Sequence, residues 1–358
     1  MMTRQDIFNR FKNNSLVKKI GLNADNFMML NACLDKWQEP HRYYHGINHL
    51  SFLLNQVDKY RHSDMSEFTN MDVKWDFIEV LALLHDVIYD PRFPNNEANS
   101  IRFIKSLKII GDNTVLEKLF DAINDTRYDS NQYLYPEISK IFCSVLFDLN
   151  SLSLLFPSDI MKSEVSLIKE FQCISYPKYR KNRLEFLQNF KACNVTEKVI
   201  DFVTNYRPRI GVYAGSFNPF HIGHMNILEQ AERIFDKVII AIGNNPDKQR
   251  DMALRQPDEI LPFHEVIRYN GLLSDFIETI DYADVTLVRG LRSGYDLEYE
   301  MDQLRTLEDL GCKCSVVYFL CDKDTSHVSS SMIRGLCKFS PVNGEKYTPK
   351  KYNYAKIC

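Results

Sequence analysis

The 358-residue sequence lacks the features of secreted and membrane proteins. No apolar run approaches the roughly 20 residues that a membrane span needs, and the polar segment from Met1 to Asn14 has no apolar block of the kind found in a secretory signal. The formal net charge is only -3, which gives no general attraction to nucleic acid or to an anionic membrane. We therefore expect a cytoplasmic protein without a nucleic-acid or membrane partner.

Cysteines at the spacing of a structural zinc site are also missing. The nine Cys are scattered along the chain without a CxxC pair, and Cys312 and Cys314 are too close together for a usual zinc knuckle. In a cytoplasmic protein such cysteines are expected to be reduced thiols that fill the core or the surface.

What the sequence does contain is two different periodicities, in a chain whose length suggests two domains. Residues 1–205 carry apolar residues at helical spacing and almost no strand signal. From Arg209 onward, short apolar runs alternate with helical segments, which is typical of a parallel sheet covered on both faces. We predict an all-α domain over residues 1–205 and an α/β domain with a Rossmann-like, doubly wound parallel sheet over residues 208–358. The predicted strands are 210–214, 237–242, 285–288 and 315–320.

The first predicted strand of the second domain runs into the segment GSFNPFHIGH, residues 215–224, and a helix follows. A glycine-containing turn between a strand and a helix brings backbone N–H groups and a helix N-terminus toward phosphate. His221 and His224 add imidazole donors for phosphate oxygens. The alternative is a pair of core or capping histidines, but the position of the motif at a strand–helix junction favours a phosphate site.

Three further signals lie in the same half of the chain. Arg289 and Arg292 flank Gly290 after an apolar strand, and arginine can bind phosphate with two hydrogen bonds; a solvated basic turn is the alternative. The run 329–331 of three serines opens a predicted helix, where it acts as a plain N-cap or as an anion site. Lys248 follows the second predicted strand and offers one more cation.

Together these segments resemble the phosphopantetheine adenylyltransferase family, within the HxGH nucleotidyltransferase superfamily. The likeness runs from about Arg209 to the end of the sequence and includes GSFNPFHIGH, NPDK, VRGLRSGYDLEYE and HVSSSMIRG, in family order. It implies a reaction of ATP with 4'-phosphopantetheine that gives dephospho-coenzyme A and pyrophosphate. It also implies Mg²⁺ as cofactor and a homo-oligomer, often a hexamer.

The resemblance also implies residue roles. Catalytic roles fall to His224, Lys248 and Arg292, which with Mg²⁺ would stabilise charge while the acceptor phosphate attacks the α-phosphorus of ATP in line. The implied acceptor-binding residues are Ser216, Lys248 and Arg289. The implied ATP-binding residues are Gly215, Ser216, Phe217, His221, His224, Arg292, Glu300, Ser329, Ser330 and Ser331. Asn218 stands where the family usually has Asp, and this departure predicts weaker handling of metal or substrate.

The first half of the chain has its own series of candidate ligands. His41, His45 and His49 recur every four residues, and on one helix His45 and His49 would share a face. His85-Asp86 ends an apolar helical stretch, where burial of both groups is costly unless something binds them. Each histidine alone could be structural, but the ordered series favours a metal site.

This half resembles the metal-dependent phosphohydrolases of the HD superfamily, on YYHGINHL, LALLHDVIYD with the nearby Asn96-Glu97, and LFDLN. The resemblance implies His49, His85, Asp86 and Asp148 as metal ligands, with Asp125 in reserve. A divalent ion there would activate water and polarise a phosphate. Its identity stays open between Mn²⁺, Fe²⁺, Mg²⁺ and Zn²⁺, and so does the substrate.

Three alternatives remain for the second domain. It could use another acceptor, such as nicotinamide mononucleotide, although the RGLR and SSS segments favour phosphopantetheine. It could transfer a cytidylyl group. It could also be a nucleotide sensor without catalysis, for which Asn218 would be the sign.

Overall fold

The structure, a computed structural model, describes residues 1–61, 72–127, 134, 138–139, 142, 157–188, 194–244 and 256–349. The chain forms two compact units. The helical unit comprises Met1–Ser163 and Ala192–Lys198, and the sheet unit comprises Glu164–Lys191 and Val199–Cys358. The predicted domain ranges, 1–205 and 208–358, remain predictions. Beyond the predicted second range, the sheet unit also contains residues 164–191 and 199–207.

In its described residues the helical unit contains helices and no strand, as its periodicity predicted. Its apolar faces meet in one core around Trp37, Leu50 and Leu81, each at most 1% exposed. The first seven helices of the chain are α1 Arg4–Asn13, α2 Ser15–Lys19, α3 Ala24–Lys36, α4 Ile47–Arg61, α5 Asp72–Leu84, α6 Asn96–Ser106 and α7 Asn113–Asp125. That these helices form an HD domain stays a prediction.

The remaining helices and all five described strands follow in sequence. They are α8 Pro157–Glu170, α9 Tyr176–Gln188, α10 Asn194–Asn205, β1 Arg209–Gly215, α11 Ile222–Ile234, β2 Lys237–Gly243, α12 Pro257–Ile260, β3 Glu265–Tyr269, α13 Leu273–Glu278, β4 Asp284–Leu291, α14 Gly294–Asp309, β5 Ser315–Leu320, α15 Ser330–Cys337 and α16 Pro341–Glu345. No helix in the described ranges has the length and apolar character that a membrane crossing requires.

The five strands form one parallel sheet in the order β3-β2-β1-β4-β5. After β1 the chain builds outward to β3, then crosses back to place β4 on the other side of β1. Connections on the two sides of β1 therefore run in opposite directions, and a crevice opens at the carboxyl ends of β1 and β4. This is where open α/β sheets bind ligands.

The predicted parallel sheet and its four predicted strands are confirmed. The fifth strand, β3 Glu265–Tyr269, was not predicted from the sequence. This strand lies at the sheet edge and is only partly buried, so its residues lack the continuous apolar run of a central strand. Arg289 also lies within β4 rather than after it, because the strand continues to Leu291.

Residues 164–191 belong with the sheet through a buried polar contact. Lys237, at the start of β2, is 2% exposed, and its Nζ donates to the carbonyl oxygen of Ile174 at 2.8 Å. The same Nζ lies 2.9 Å from a carboxylate oxygen of Glu265 on β3. The Glu265 amide donates to the carbonyl oxygen of Gln172 at 3.0 Å. A buried ammonium needs such partners, so this segment completes the end of the sheet opposite the crevice.

Candidate functional site

The crevice at the end of β1 and β4 brings together segments that are far apart in the sequence. Gly215 ends β1, and Arg289 near the end of β4 donates from Nη1 to the Ala214 carbonyl oxygen at 2.9 Å. The Arg289 Nε also lies 3.0 Å from a Glu300 carboxylate oxygen on α14. The guanidinium is thus held at the crevice with one ionic partner and one backbone partner.

The loop between β1 and α11, residues 216–221, is called the crevice loop. Its last residue, His221, is the N-cap of α11. Its Nδ1 accepts hydrogen bonds from the backbone N–H groups of Gly223 at 3.2 Å and His224 at 3.4 Å. The His224 Nδ1 accepts in turn from the His221 backbone N–H at 3.3 Å. A neutral imidazole that accepts at Nδ1 carries its proton on Nε2. Both rings therefore present an Nε2–H donor.

The two imidazoles form one stacked, uncharged pair. Their ring centroids are 3.6 Å apart with planes 22° from parallel. Burial, assisted by the charge of Arg292, lowers the pKa of His221 to about 4. Burial, then the proximity of His221 and of Arg292, lowers the pKa of His224 well below its ordinary value. Near neutral pH the pair can donate two hydrogen bonds to an anion without carrying charge.

Arg292 supplies fixed positive charge beside that pair. It follows β4 and binds Asp296 with a fork, Nε to Oδ2 at 3.1 Å and Nη2 to Oδ1 at 3.0 Å. The Arg292 backbone N–H donates to the same carboxylate at 2.8 Å. The charge of Arg292 contributes, after burial, to the lowered pKa of both histidines.

The serine run also reaches the crevice loop. Ser329 caps α15 by accepting from the Met332 N–H at 3.2 Å, so the capping role is confirmed for this residue. The Ser330 hydroxyl donates to the Pro219 carbonyl oxygen at 3.0 Å, and Arg334 donates to the Asn218 carbonyl oxygen. These bonds hold the N-terminus of α15 against the loop that leads to the histidine pair.

Comparisons with known proteins agree with this arrangement. Residues 212–336 match a family model described as Cytidylyltransferase-like. The phosphopantetheine adenylyltransferase of Buchnera aphidicola subsp. Schizaphis graminum is 31% identical over 157 residues, which cover 42% of this chain and 93% of that protein. The phosphopantetheine adenylyltransferase of Neisseria meningitidis serogroup C is 35% identical over 41% of this chain and 87% of that protein. That of Mycoplasma capricolum subsp. capricolum is 37% identical over 35% of this chain and 94% of that protein.

The chain belongs to the phosphopantetheine adenylyltransferase family. Because the alignments cover nearly whole relatives but only 35–42% of this chain, family membership rests on its C-terminal part. A solved structure from Vibrio parahaemolyticus, provisionally named a nicotinate-nucleotide adenylyltransferase, aligns at 18% identity over 40% of this chain and 88% of that one, with a TM-score of 0.30. That superposition is too weak to inform the fold.

The other residues expected to bind ligand in this adenylyltransferase unit differ in their surroundings. Ser216 is exposed at the end of β1. The Phe217 ring is only 2% exposed and packs edge-on against His224, with centroids 5.0 Å apart. The Ser331 hydroxyl accepts from Arg334 at 3.0 Å. Lys248 lies outside the described residues. The ligand roles of all these residues remain predictions.

Three residues that shape the adenylyltransferase site escaped the sequence analysis. Asp296 lies in the VRGLRSGYDLEYE segment four residues after Arg292, but it was assigned no role. Arg334 lies in the quoted HVSSSMIRG segment, but nothing in the sequence linked it to the loop carbonyl of Asn218. Tyr347, whose carbonyl oxygen accepts from the Ile222 N–H at 3.0 Å, had no signal at all.

The helical unit contains a separate cluster of potential metal ligands. His49, His85 and Asp86 each offer one ligand atom, and these atoms lie within 4.8 Å of one another. His85 Nδ1 contacts the Ala82 carbonyl oxygen at 3.1 Å, which directs its Nε2 to Asp86 Oδ2 at 3.1 Å. A backbone carbonyl that holds the second ring nitrogen is the usual support of a histidine ligand. Two imidazoles and one carboxylate fit Zn²⁺, Mn²⁺ or Fe²⁺.

Charge coupling within the cluster follows from this contact. Burial opposes ionisation of both partners, yet the Asp86 carboxylate raises the pKa of His85, and His85 lowers the pKa of Asp86. For His49, burial and the neighbouring His45 and His85 lower the pKa to about 3. A cation placed here would meet an ionised Asp86 and a neutral His49 near neutral pH.

The expected helix face shared by His45 and His49 was wrong. The helix α4 begins at Ile47, so His45 precedes it, although the two ring centroids are 5.4 Å apart. His41 Nε2 contacts the Tyr89 carbonyl oxygen at 2.8 Å. Asp125 accepts from the Ser139 hydroxyl at 2.6 Å and from the Leu134 N–H at 2.7 Å, and is not grouped with the three ligands. Asp148 lies outside the described residues.

Proposed function

We propose that the sheet unit transfers the adenylyl group of ATP to 4'-phosphopantetheine, giving dephospho-coenzyme A and pyrophosphate. The observation that carries this proposal is the 31–37% identity to phosphopantetheine adenylyltransferases over 87–94% of their length. The crevice supports it chemically, because two neutral imidazoles and two arginines lie on the segments that follow or end β1 and β4.

In this mechanism the enzyme positions two phosphates and stabilises charge. The Nε2–H groups of His221 and His224 donate to oxygens of the ATP phosphates, and Arg292 adds positive charge as pyrophosphate departs. Arg289 binds the acceptor phosphate, and Glu300 holds that guanidinium until the acceptor arrives. The acceptor oxygen forms the new bond to the α-phosphorus while the bond from α-phosphorus to the pyrophosphate oxygen breaks.

The same proposal includes a Mg²⁺ ion that is bound by the oxygens of the ATP triphosphate. Among the described residues of the sheet unit, no group of three histidine, cysteine or carboxylate side chains is close enough to cage an ion. This fits an ion that is bound largely by substrate phosphates and water, as Mg²⁺ commonly is. The homo-oligomer also remains part of the proposal.

The decisive assay measures pyrophosphate release from ATP, Mg²⁺ and 4'-phosphopantetheine. We expect rapid release by the wild-type chain and almost none by His224→Ala. The surface variant Arg305→Ala, whose side chain is 68% exposed on α14, is the control and should retain full activity. Release with nicotinamide mononucleotide or with CTP in place of ATP would redirect the proposal, and tight ATP binding without release with either acceptor would indicate a sensor.

We further propose that the helical unit is a metal-dependent phosphohydrolase. The observation that favours it is the cluster of His49, His85 and Asp86. A divalent ion held by these residues would supply Lewis acidity toward a phosphate ester. Phosphatase assays with Mn²⁺ over nucleotides, coenzyme A intermediates and simple phosphoesters test this, and His85→Ala should abolish any turnover. Absence of turnover with Mn²⁺, Fe²⁺, Mg²⁺ and Zn²⁺ alike would reject it.

A further inference from the structure

Arg42 lies in the segment that joins α3 to α4, close to the metal-ligand cluster. Its side chain has no exposed surface. Nη1 donates to the Asp86 carbonyl oxygen at 2.7 Å, and Nη2 donates to the Val87 carbonyl oxygen at 2.9 Å. Nη1 also lies 3.4 Å from the His45 carbonyl oxygen. One guanidinium therefore contacts the backbone on both sides of the cluster.

The charge of this buried guanidinium is compensated locally. Nε donates to a Glu39 carboxylate oxygen at 3.2 Å, and the Trp37 ring centre lies 5.6 Å from Cζ. Glu39 also pairs with Lys36 at 2.9 Å. A buried cation is costly unless it is paired and fully hydrogen-bonded, so its location at these carbonyls calls for a specific role.

The contacts of Arg42 fix the relative position of two ligand-bearing segments. His85 and Asp86 come directly after the end of α5, whereas His49 lies in the first turn of α4. The guanidinium contacts the carbonyl oxygen of Asp86 itself and that of His45 in the turn that leads into α4. A metal site requires its ligands to be held within about half an ångström of the binding geometry.

We propose that Arg42 is a positioning residue of the metal centre, which sets the distance between His49 and the His85–Asp86 pair. This inference rests on the proposed metal centre of the helical unit. Lysine in its place would keep the charge but not the planar fork, so it could not hold both the Asp86 and Val87 carbonyls in the same directions.

The test is calorimetric titration of the full chain with Mn²⁺ in the absence of nucleotide. We expect one ion per chain for wild type and a dissociation constant raised about tenfold or more in Arg42→Lys, as found for groups that orient metal ligands. Arg10→Lys is the matched control. Arg10 lies in the same unit and pairs with Asp58 at 2.7 Å and Glu79 at 2.8 Å, so its loss should lower the melting temperature without changing Mn²⁺ affinity.

Each outcome has one meaning. Unchanged Mn²⁺ affinity in Arg42→Lys would overturn the positioning role while leaving the metal centre intact. An equal loss of affinity in Arg10→Lys would also overturn it, because a general loss of stability would then be sufficient. If the wild-type chain does not bind Mn²⁺, the same titrations are made with Zn²⁺, Fe²⁺ and Mg²⁺, and failure to bind all four ions would reject the metal centre itself. If Arg42→Lys does not fold, Glu39→Ala removes the carboxylate that accepts from Arg42 Nε and pairs with Lys36, and we expect a severalfold weaker Mn²⁺ affinity; wild-type affinity there would overturn the proposal.

Discussion

The double role of His221, as helix cap and phosphate donor, can be separated with two substitutions. His221→Ala removes the Nδ1 that accepts from Gly223 and His224, and also the Nε2–H. His221→Asn restores an oxygen acceptor at the cap but has no group in the place of Nε2–H. Asparagine is among the best N-cap residues, whereas alanine costs about 1–2 kcal/mol at such a position.

The two effects have different expected sizes. His221 is 5% exposed, so both variants lose similar buried contacts, and the Asn variant should be more stable than the Ala variant by about 1 kcal/mol. Loss of a hydrogen bond to a charged phosphate is worth roughly 1.5–3 kcal/mol. Both variants should therefore bind ATP roughly 10- to 100-fold more weakly.

Urea unfolding and calorimetric ATP titration measure the two quantities. The relevant unfolding transition is the one that ATP moves to higher urea, because a ligand stabilises only the unit that binds it. Equal unfolding midpoints for the Ala and Asn variants would refute the capping role. Wild-type ATP affinity in His221→Asn would refute the donor role. The exposed Arg305→Ala should change neither quantity.

Three further predictions follow from the same geometry. The pKa of His221 falls from 6.5 to about 4 on folding, so its neutral ring contributes about 3 kcal/mol to the free energy of unfolding. This contribution is complete above pH 6.5 and is lost as the pH falls toward 4. Urea midpoints measured from pH 7 to pH 4 should therefore decline, and a flat profile would contradict the shift. Asp296→Ala removes the fork that orients Arg292, and since the pair is partly exposed we expect the KM for ATP to rise only about two- to fivefold; an unchanged KM would exclude the orienting role. His85→Ala should abolish Mn²⁺ binding, measured by calorimetry, while pyrophosphate release by the sheet unit stays at the wild-type rate; loss of both would show that the substitution disrupts more than the metal cluster.

The sequence by itself determined the elements and the chemistry of the sheet unit. Continuous apolar runs predicted the central strands β1, β2 and β4, although β4 continues to Leu291, beyond its predicted end at residue 288. The apolar run 315–320 also predicted β5, which is an edge strand. The edge strand β3 was missed because half-burial leaves a mixed pattern of residues. Motif order also identified the loop and the arginines that meet at the crevice, since parallel strands place their carboxyl ends at one edge of the sheet.

Only the tertiary structure decided how those side chains are used. The sequence cannot reveal that His221 caps its own helix through Nδ1, because that depends on ring orientation. It could not place Arg334 on the Asn218 carbonyl, since contacts across more than a hundred residues follow from folding. In the helical unit, residue spacing indicated His49, His85 and Asp86, but the start of α4 excluded the shared face with His45. The sequence could not predict the contacts of the buried Arg42 with the ligand segments. Its partners there are backbone carbonyls, which every residue possesses, so no residue pattern indicates them.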